Sequence, residues 1–290
     1  MANLKISQLT TFTGTSADSR WFVMNNQGET ATFKFSGYTS PLRVATQEGS
    51  ISSVFGTPAT LGAGSINSIV IGSQASAQGD YATIIGWNAS TATGGESRNV
   101  VVGASSQAGQ FGTSVGFASQ SSASYASCFG HDSQASGQYA TCIGAQTRAN
   151  GTQAIALGNF AFGFADDTIA IGQNVTSNNA NNITIGNTLT NSGGAHSNLF
   201  GGASNTITSS GQYNAILNGN GNTISGSTER AVMIGTNSRT ADTSNCLFVE
   251  NLKLFNYANL DFANDSDAAA GGVVLGQVYH HNGALRIRIV

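Results

Sequence analysis

Ile155-Ala156-Leu157-Gly158, Ile169-Ala170-Ile171-Gly172 and Ile183-Thr184-Ile185-Gly186 are three short apolar segments, each closed by a glycine and each 14 residues after the one before. The unit extends outward in both directions. Towards the N-terminus it recurs as Cys142-Ile143-Gly144, Cys128-Phe129-Gly130, Ser114-Val115-Gly116, Val100-Val101-Val102-Gly103, Ile84-Ile85-Gly86 and Ile69-Val70-Ile71-Gly72. Towards the C-terminus it recurs as Leu199-Phe200-Gly201, Ile216-Leu217-Asn218-Gly219 and Met233-Ile234-Gly235. Successive glycines lie 14, 17, 13, 14, 14, 14, 14, 14, 15, 18 and 16 residues apart. Such a period is too short for helical, leucine-rich or propeller repeats and fits one coil of a β-solenoid, with two short strands and two turns per coil. Stacked at the usual strand spacing of about 4.8 Å, the coils predict a column on the order of 50 to 60 Å long.

Composition agrees with a β-rich, turn-rich chain. Of 290 residues, 37 are Gly, 2 are Pro and only 9% are charged, while 40% are hydrophobic. Disorder goes with scarce apolar residues and abundant charge or proline. Collagen needs Gly at every third position, and a helical protein needs Lys, Glu and Leu in quantity. None of these fits. The net charge is −3, and no lysine stands between Lys34 and Lys253. That argues against nucleic acid as a partner, because a phosphate backbone calls for dense cationic surface. No apolar run is long enough for membrane insertion, and the start through Ile6-Ser7-Gln8-Leu9-Thr10 lacks a signal peptide's apolar core, so the expected site of synthesis is the cytoplasm. Cys128, Cys142 and Cys246 form neither a disulfide framework nor a CxxC metal pair.

Within the coil, the residue before each repeat glycine is large and apolar (Ile71, Ile85, Val102, Val115, Phe129, Ile143, Leu157, Ile171, Ile185, Phe200, Ile234), with Asn218 as the exception. This column is the expected core. The residue before it is often small, as at Ser114, Cys128, Cys142, Ala156, Ala170 and Thr184, and strand alternation puts it on the opposite face, packed against something else. Outside the repeats, Trp21-Phe22-Val23-Met24, the turn Asn25-Asn26-Gln27-Gly28 and Thr30-Ala31-Thr32-Phe33-Lys34-Phe35 read as a hairpin. Residues 36–56 read as a connector, and Cys246-Leu247-Phe248-Val249 as a last rung. Leu254-Phe255 and Leu260-Asp261-Phe262 would cap the roll, whose open ends would otherwise expose unpaired edges. The expected division is an N-terminal module at 1–58, a β-roll at 59–250 and a C-terminal module at 251–290.

Ile66-Asn67-Ser68-Ile69-Val70-Ile71-Gly72, Thr152-Gln153-Ala154-Ile155-Ala156-Leu157-Gly158 and Asp167-Thr168-Ile169-Ala170-Ile171-Gly172 resemble the head repeat of YadA-like trimeric autotransporter adhesins, a left-handed parallel β-roll. The resemblance spans roughly residues 60–250. Together with the small burial one thin coil provides, it implies an all-β parallel β-solenoid that assembles as a parallel homotrimer. Two further stretches resemble parts of bacteriophage tail and fibre proteins: Leu4-Lys5-Ile6-Ser7-Gln8-Leu9 with Thr13-Gly14, and the ending from Asp267 through Gly271-Gly272-Val273-Val274-Leu275-Gly276 to Ile289-Val290. These resemblances imply a virion fibre released by lysis, docked on other virion proteins through its N-terminal module. A bacterial surface adhesin and a polysaccharide-degrading tailspike are the alternatives.

Candidate chemistry is sparse. A glycosidase needs two carboxylates at a fixed separation, whereas Asp80, Glu96, Asp132, Asp166, Asp167 and Glu229 stand beside turns, where solvated charge is expected. The expectation is a non-enzymatic protein with no cofactor. His131 beside Asp132 reads as a solvent-facing turn, and His280-His281 as a pair of which one imidazole would face a threefold axis. Cys128 and Cys142 fall one period apart and are expected as packed free thiols. The sharper candidates are aromatic. Tyr81, Phe111, Tyr125 and Tyr139 each stand five residues before a repeat glycine, and Trp87 and Phe117 directly follow one. Exposed, they would contact host cell-surface glycan; buried, they would fill corners. Arg286 and Arg288, alternating with Leu285, Ile287 and Ile289, are candidate tip contacts or partners for Asp265 and Asp267.

Overall fold

The computed structural model describes residues 67–91, 98–250, 259–282 and 284–289, with the backbone of Arg43–Gln47, Ser50–Phe55, Thr60–Leu61, Gly95–Glu96 and residues 257–258. The hairpin read at 21–35 and the segment Leu4 to Leu9 lie outside the described residues. The chain divides into two compact units, Met1–Phe248 and Val249–Val290.

The first unit is a parallel β-solenoid. One central coil shows how sequence sets the path. Gln153, Phe160 and Asp167 hold φ values of 58°, 52° and 56°, so the chain turns in the left-handed region every seven residues, twice per coil. The two straight runs between turns carry the strands, and each coil lies in register on the next: Ile155 pairs with Ile169, and Ile169 with Ile183. Side chains alternate inward and outward along each run.

The inward column is the small one, which reverses the expected core. Val70, Ile84, Val101, Ser114, Cys128, Cys142, Ala156, Ala170, Thr184, Leu199, Ile216 and Met233, each two residues before the repeat-glycine position, are all fully buried. The large residues next to that position point outward: Ile71, Ile85, Phe129, Ile143 and Ile234 are 38%, 39%, 38%, 45% and 42% exposed. The reason is lumen width. In the middle coils the interior takes small side chains: the apolar cluster is Ala126, Cys128, Ala135, Ala140, Cys142, Ala149, Ala154, Ala156 and Ala161, with Ser121, Ser133 and Thr147 buried beside it. Bulk beside it has nowhere to go but out. Towards the C-terminal end the interior widens to take Leu189, Leu199, Ile207, Ile216, Ile224 and Met233.

Coil length changes with it. The register offset is 14 residues from Ile155 to Ile169, but 17 from Asn198 to Ala215 and again from Ala215 to Val232. The longer coils hold a buried asparagine ladder. Asn205 Nδ2 donates to the Gly219 carbonyl at 3.0 Å while its Oδ1 accepts from Asn222 N at 2.9 Å. Asn214 Nδ2 donates to the Thr228 carbonyl at 2.8 Å, and its Oδ1 accepts from Ala231 N at 3.0 Å. Each side-chain amide thus satisfies backbone groups that the longer turns leave unpaired.

The register also removes the exception at Asn218. Leu217 pairs with Phe200 and Ile234, so Leu217 occupies the outward apolar column. Asn218, with φ of 62°, stands where Gly201 and Gly235 stand in the neighbouring coils. Asn tolerates that conformation better than most side chains do.

Arg43–Gln47 and Ser50–Phe55 are strands where a connector was expected. Arg43–Gln47 pairs antiparallel with Ser50–Phe55, and the latter pairs in parallel with the first full coil, Phe55 opposite Ile71. Leu247–Val249 joins the far end of the same sheet, and Phe248 packs on the core there.

The second unit has its own small core. Asn264 caps the helix Asp265–Ala270 by accepting from Asp267 N at 2.9 Å. The strands Val278–His281 and Ala284–Ile287 form an antiparallel hairpin. Leu260 and Phe262, read from sequence as caps for the roll, pack against Ala268, Val273 and Tyr279 of this unit. Leu254 and Phe255 lie outside the described residues.

Candidate binding surface

The aromatic candidates separate onto the two turns of the coil. Tyr81, Phe111, Tyr125 and Tyr139 are all turn residues with φ between 57° and 61°. A bulky side chain in that conformation is strained, and here it is thrown outward from the turn tip. Phe111 stacks on Tyr125 with centroids 4.9 Å apart, and Tyr125 on Tyr139 at 5.1 Å. Arg98 lies over the ring of Tyr81, its guanidinium carbon 5.6 Å from the centroid. The same column resumes further along as His196 stacked on Tyr213 at 5.2 Å, a pair the sequence reading passed over because the spacing there had left 14. Tyr125, in the middle of this ladder, has a ring against both faces, while Phe111 and Tyr139 each have a ring against one.

Trp87 and Phe117 lie on the other turn. Both are exposed, and Phe117 stacks on His131 with centroids 5.4 Å apart and planes 14° apart. His131, exposed at the end of the strand Ser127–His131, is therefore held by a ring neighbour.

Cys128 and Cys142 face each other on adjacent rungs, and the structure joins them in a disulfide, which corrects the expectation of free thiols. Cys246 is free. Of the acids, Asp80 stands opposite Glu96 in the short parallel pair Gly79–Asp80 and Gly95–Glu96, Asp166 Oδ1 accepts from Thr152 N at 2.7 Å, and Glu229 pairs with Arg230 at 2.8 Å. Among the described residues, no three His, Cys, Asp or Glu side chains gather as a metal set, and no helix is long and apolar enough to cross a membrane.

In the second unit, His280 and His281 do not diverge as alternation suggests. Nδ1 of each lies 3.7 Å from Asp261 Oδ1. Arg288 Nη1 donates to the Val273 carbonyl at 2.6 Å and Arg286 Nη1 to the Ala263 carbonyl at 3.2 Å. Tyr279 is buried, and its hydroxyl donates to Asp265 Oδ1 at 2.5 Å. That bond to a carboxylate, and after it burial, raises the Tyr279 pKa above its ordinary 10.0. Asp265 Oδ2 also accepts from Ile289 N at 2.8 Å, so one carboxylate ties the helix to both the hairpin and the C-terminal segment.

A parallel solenoid with paired turns and an outward apolar stripe is the setting for a family match. Residues 63–89 and 135–161 match the YadA head domain repeat. The chain carries YadA-like head repeats. No curated protein sequence matches it. The second matched copy lies within the run of 14-residue coils, and parallel pairing continues between and beyond the two copies through coils of 13 to 17 residues.

Proposed function

We propose that this chain is a structural, non-enzymatic fibre subunit of a bacteriophage virion, assembled as a parallel homotrimer and attaching to the host by many weak surface contacts. The observation that carries the trimer is the outward apolar stripe. Ile69, Ile71, Ile85, Val100, Phe129, Ile143 and Ile234 follow one another along a single strand face, each 38–45% exposed in the lone chain. Apolar surface of that extent marks an interaction site, and covering it removes about 1 kcal/mol of unfavourable hydration per large side chain. YadA-like heads are trimeric, which agrees with self-association. In a trimer every turn column is presented three times, and repetition multiplies a modest affinity.

The virion assignment rests on the resemblance of the chain's two end segments to phage fibre proteins. Docking on other virion proteins falls to the N-terminal module, and host cell-surface glycan is the proposed ligand of the exposed turns. The second reading is a bacterial surface adhesin, favoured by the head-repeat match itself. Immunogold labelling separates the two: label on intact phage particles supports the virion reading, and label on the bacterial envelope with none on particles overturns it. Release of reducing sugar from host polysaccharide would instead indicate a tailspike enzyme.

A further inference from the structure

We infer that Trp87, Ala104 and Phe117 form a slot that takes a single pyranose ring of a neutral glycan. The inference rests on the attachment reading above and assigns it a site. The three residues occupy the same turn position on consecutive rungs, since Ser105 N donates to the Trp87 carbonyl at 2.8 Å and Ala118 N to the Ala104 carbonyl at 2.9 Å. Rungs are about 4.8 Å apart, so two aromatic side chains stand about 9.6 Å apart with only a methyl group between them. A guest packed at about 3.5 to 4.0 Å from each wall fills that gap with one puckered ring. Phe117 has its other neighbour covered by His131, which fixes it as a wall. Trp87 is 53% exposed and Phe117 56%. The rung on the far side of Trp87 carries Ser73, which is no ring either.

The contrast with the other turn makes the slot specific. Tyr125 has a ring against each face, at 4.9 and 5.1 Å. It has no face left for a sugar. The other column is also broken for one rung, between Tyr81 and Phe111, but there Arg98 lays its guanidinium over the Tyr81 ring, whereas Ala104 puts only a methyl group between Trp87 and Phe117. The charge of the ligand follows from the lining. Ser73, Asn88, Ser105 and Ala118 beside the slot are uncharged, and Asn88 and Ser105 supply hydrogen-bonding groups at its rim. Apolar walls with a few polar rim groups suit a neutral sugar, which has apolar C–H faces and equatorial hydroxyls.

The chain has two tryptophans, so Trp21→Phe leaves Trp87 as the sole fluorescent reporter. The full chain carrying that change is titrated with cellotetraose, maltotetraose and chitotetraose, with its oligomer mass followed throughout. At least one sugar is expected to give a saturable shift of Trp87 emission. Ala104→Phe, which fills the gap and continues the stack, is expected to weaken that binding at least tenfold. Tyr125→Ser is expected to leave it within twofold. The inference is overturned if no sugar shifts the emission, if Ala104→Phe binds as well as its parent, or if Trp87→Ala changes the oligomer mass, which would make this turn a subunit contact. Adsorption to host cells is measured in parallel. Adsorption that is unchanged in Ala104→Phe removes the slot but keeps the attachment reading, whereas a parent protein that fails to adsorb removes attachment.

Discussion

At Gly130 the backbone φ is +147°, and a Cβ added there would fall on the carbonyl oxygen of Gly144 one rung away. Gly144 stands in the same relation to Gly158. The column is glycine for two reasons: the coils approach backbone to backbone, and the φ there is one that L side chains rarely adopt. Gly130→Ala is expected to cost at least about 3 kcal/mol in a denaturant melt, through strain and forced separation of rungs, while Ser136→Ala on an exposed turn stays within about 0.5 kcal/mol. Tyr279 makes a second residue-level test. Its pKa is raised, so the neutral phenol is the form the fold prefers, and the stabilisation it brings is complete below pH 10.0 and is lost as pH climbs through the higher folded value. In a spectrophotometric titration the folded protein should show one tyrosine ionising later than the others, and Tyr279→Phe should abolish that late step.

At the scale of the coil, the strand faces and the buried amides decide the architecture. Asn222 donates to the Thr236 carbonyl at 2.6 Å and accepts from Thr236 Oγ1 at 3.0 Å and from Arg239 N at 3.2 Å, all inside the lumen. Asn222→Leu leaves those groups unpaired and is expected to lower stability by about 2 to 4 kcal/mol, measured by thermal or chemical unfolding. The 14-residue period, the two turns per coil and the parallel stack could be read directly from Ile155-Ala156-Leu157-Gly158 and its neighbours. Which face is the core could not, because side-chain size ordinarily signals burial and a narrow lumen inverts the rule: Ala156 is inside and Ile143 is outside. The stacking of Phe111 on Tyr125 was legible as a column but not as a closed ladder, since spacing says which residues share a turn and not which way their rings face. The antiparallel pair Arg43–Gln47 and Ser50–Phe55 was hidden by its lack of a repeat, and the true place of Asn218 by the change to 17-residue coils.

For the whole molecule, the large side chains displaced from each coil make a continuous apolar face that one chain cannot cover with its own atoms. Three chains turning that face towards a common axis would cover it and leave both sets of turns on the outside, which is the arrangement the fibre reading needs. Ile143→Asp places a carboxylate at the middle of the face and is expected to dissociate the assembly while each coil's internal register, far from the substitution, survives as β-sheet circular dichroism. The most direct measurement is the mass of the unmodified chain in solution by sedimentation equilibrium. The expected value is about three times the chain's 29.6 kDa, holding on dilution; a stable, well-folded species at 29.6 kDa would contradict the account.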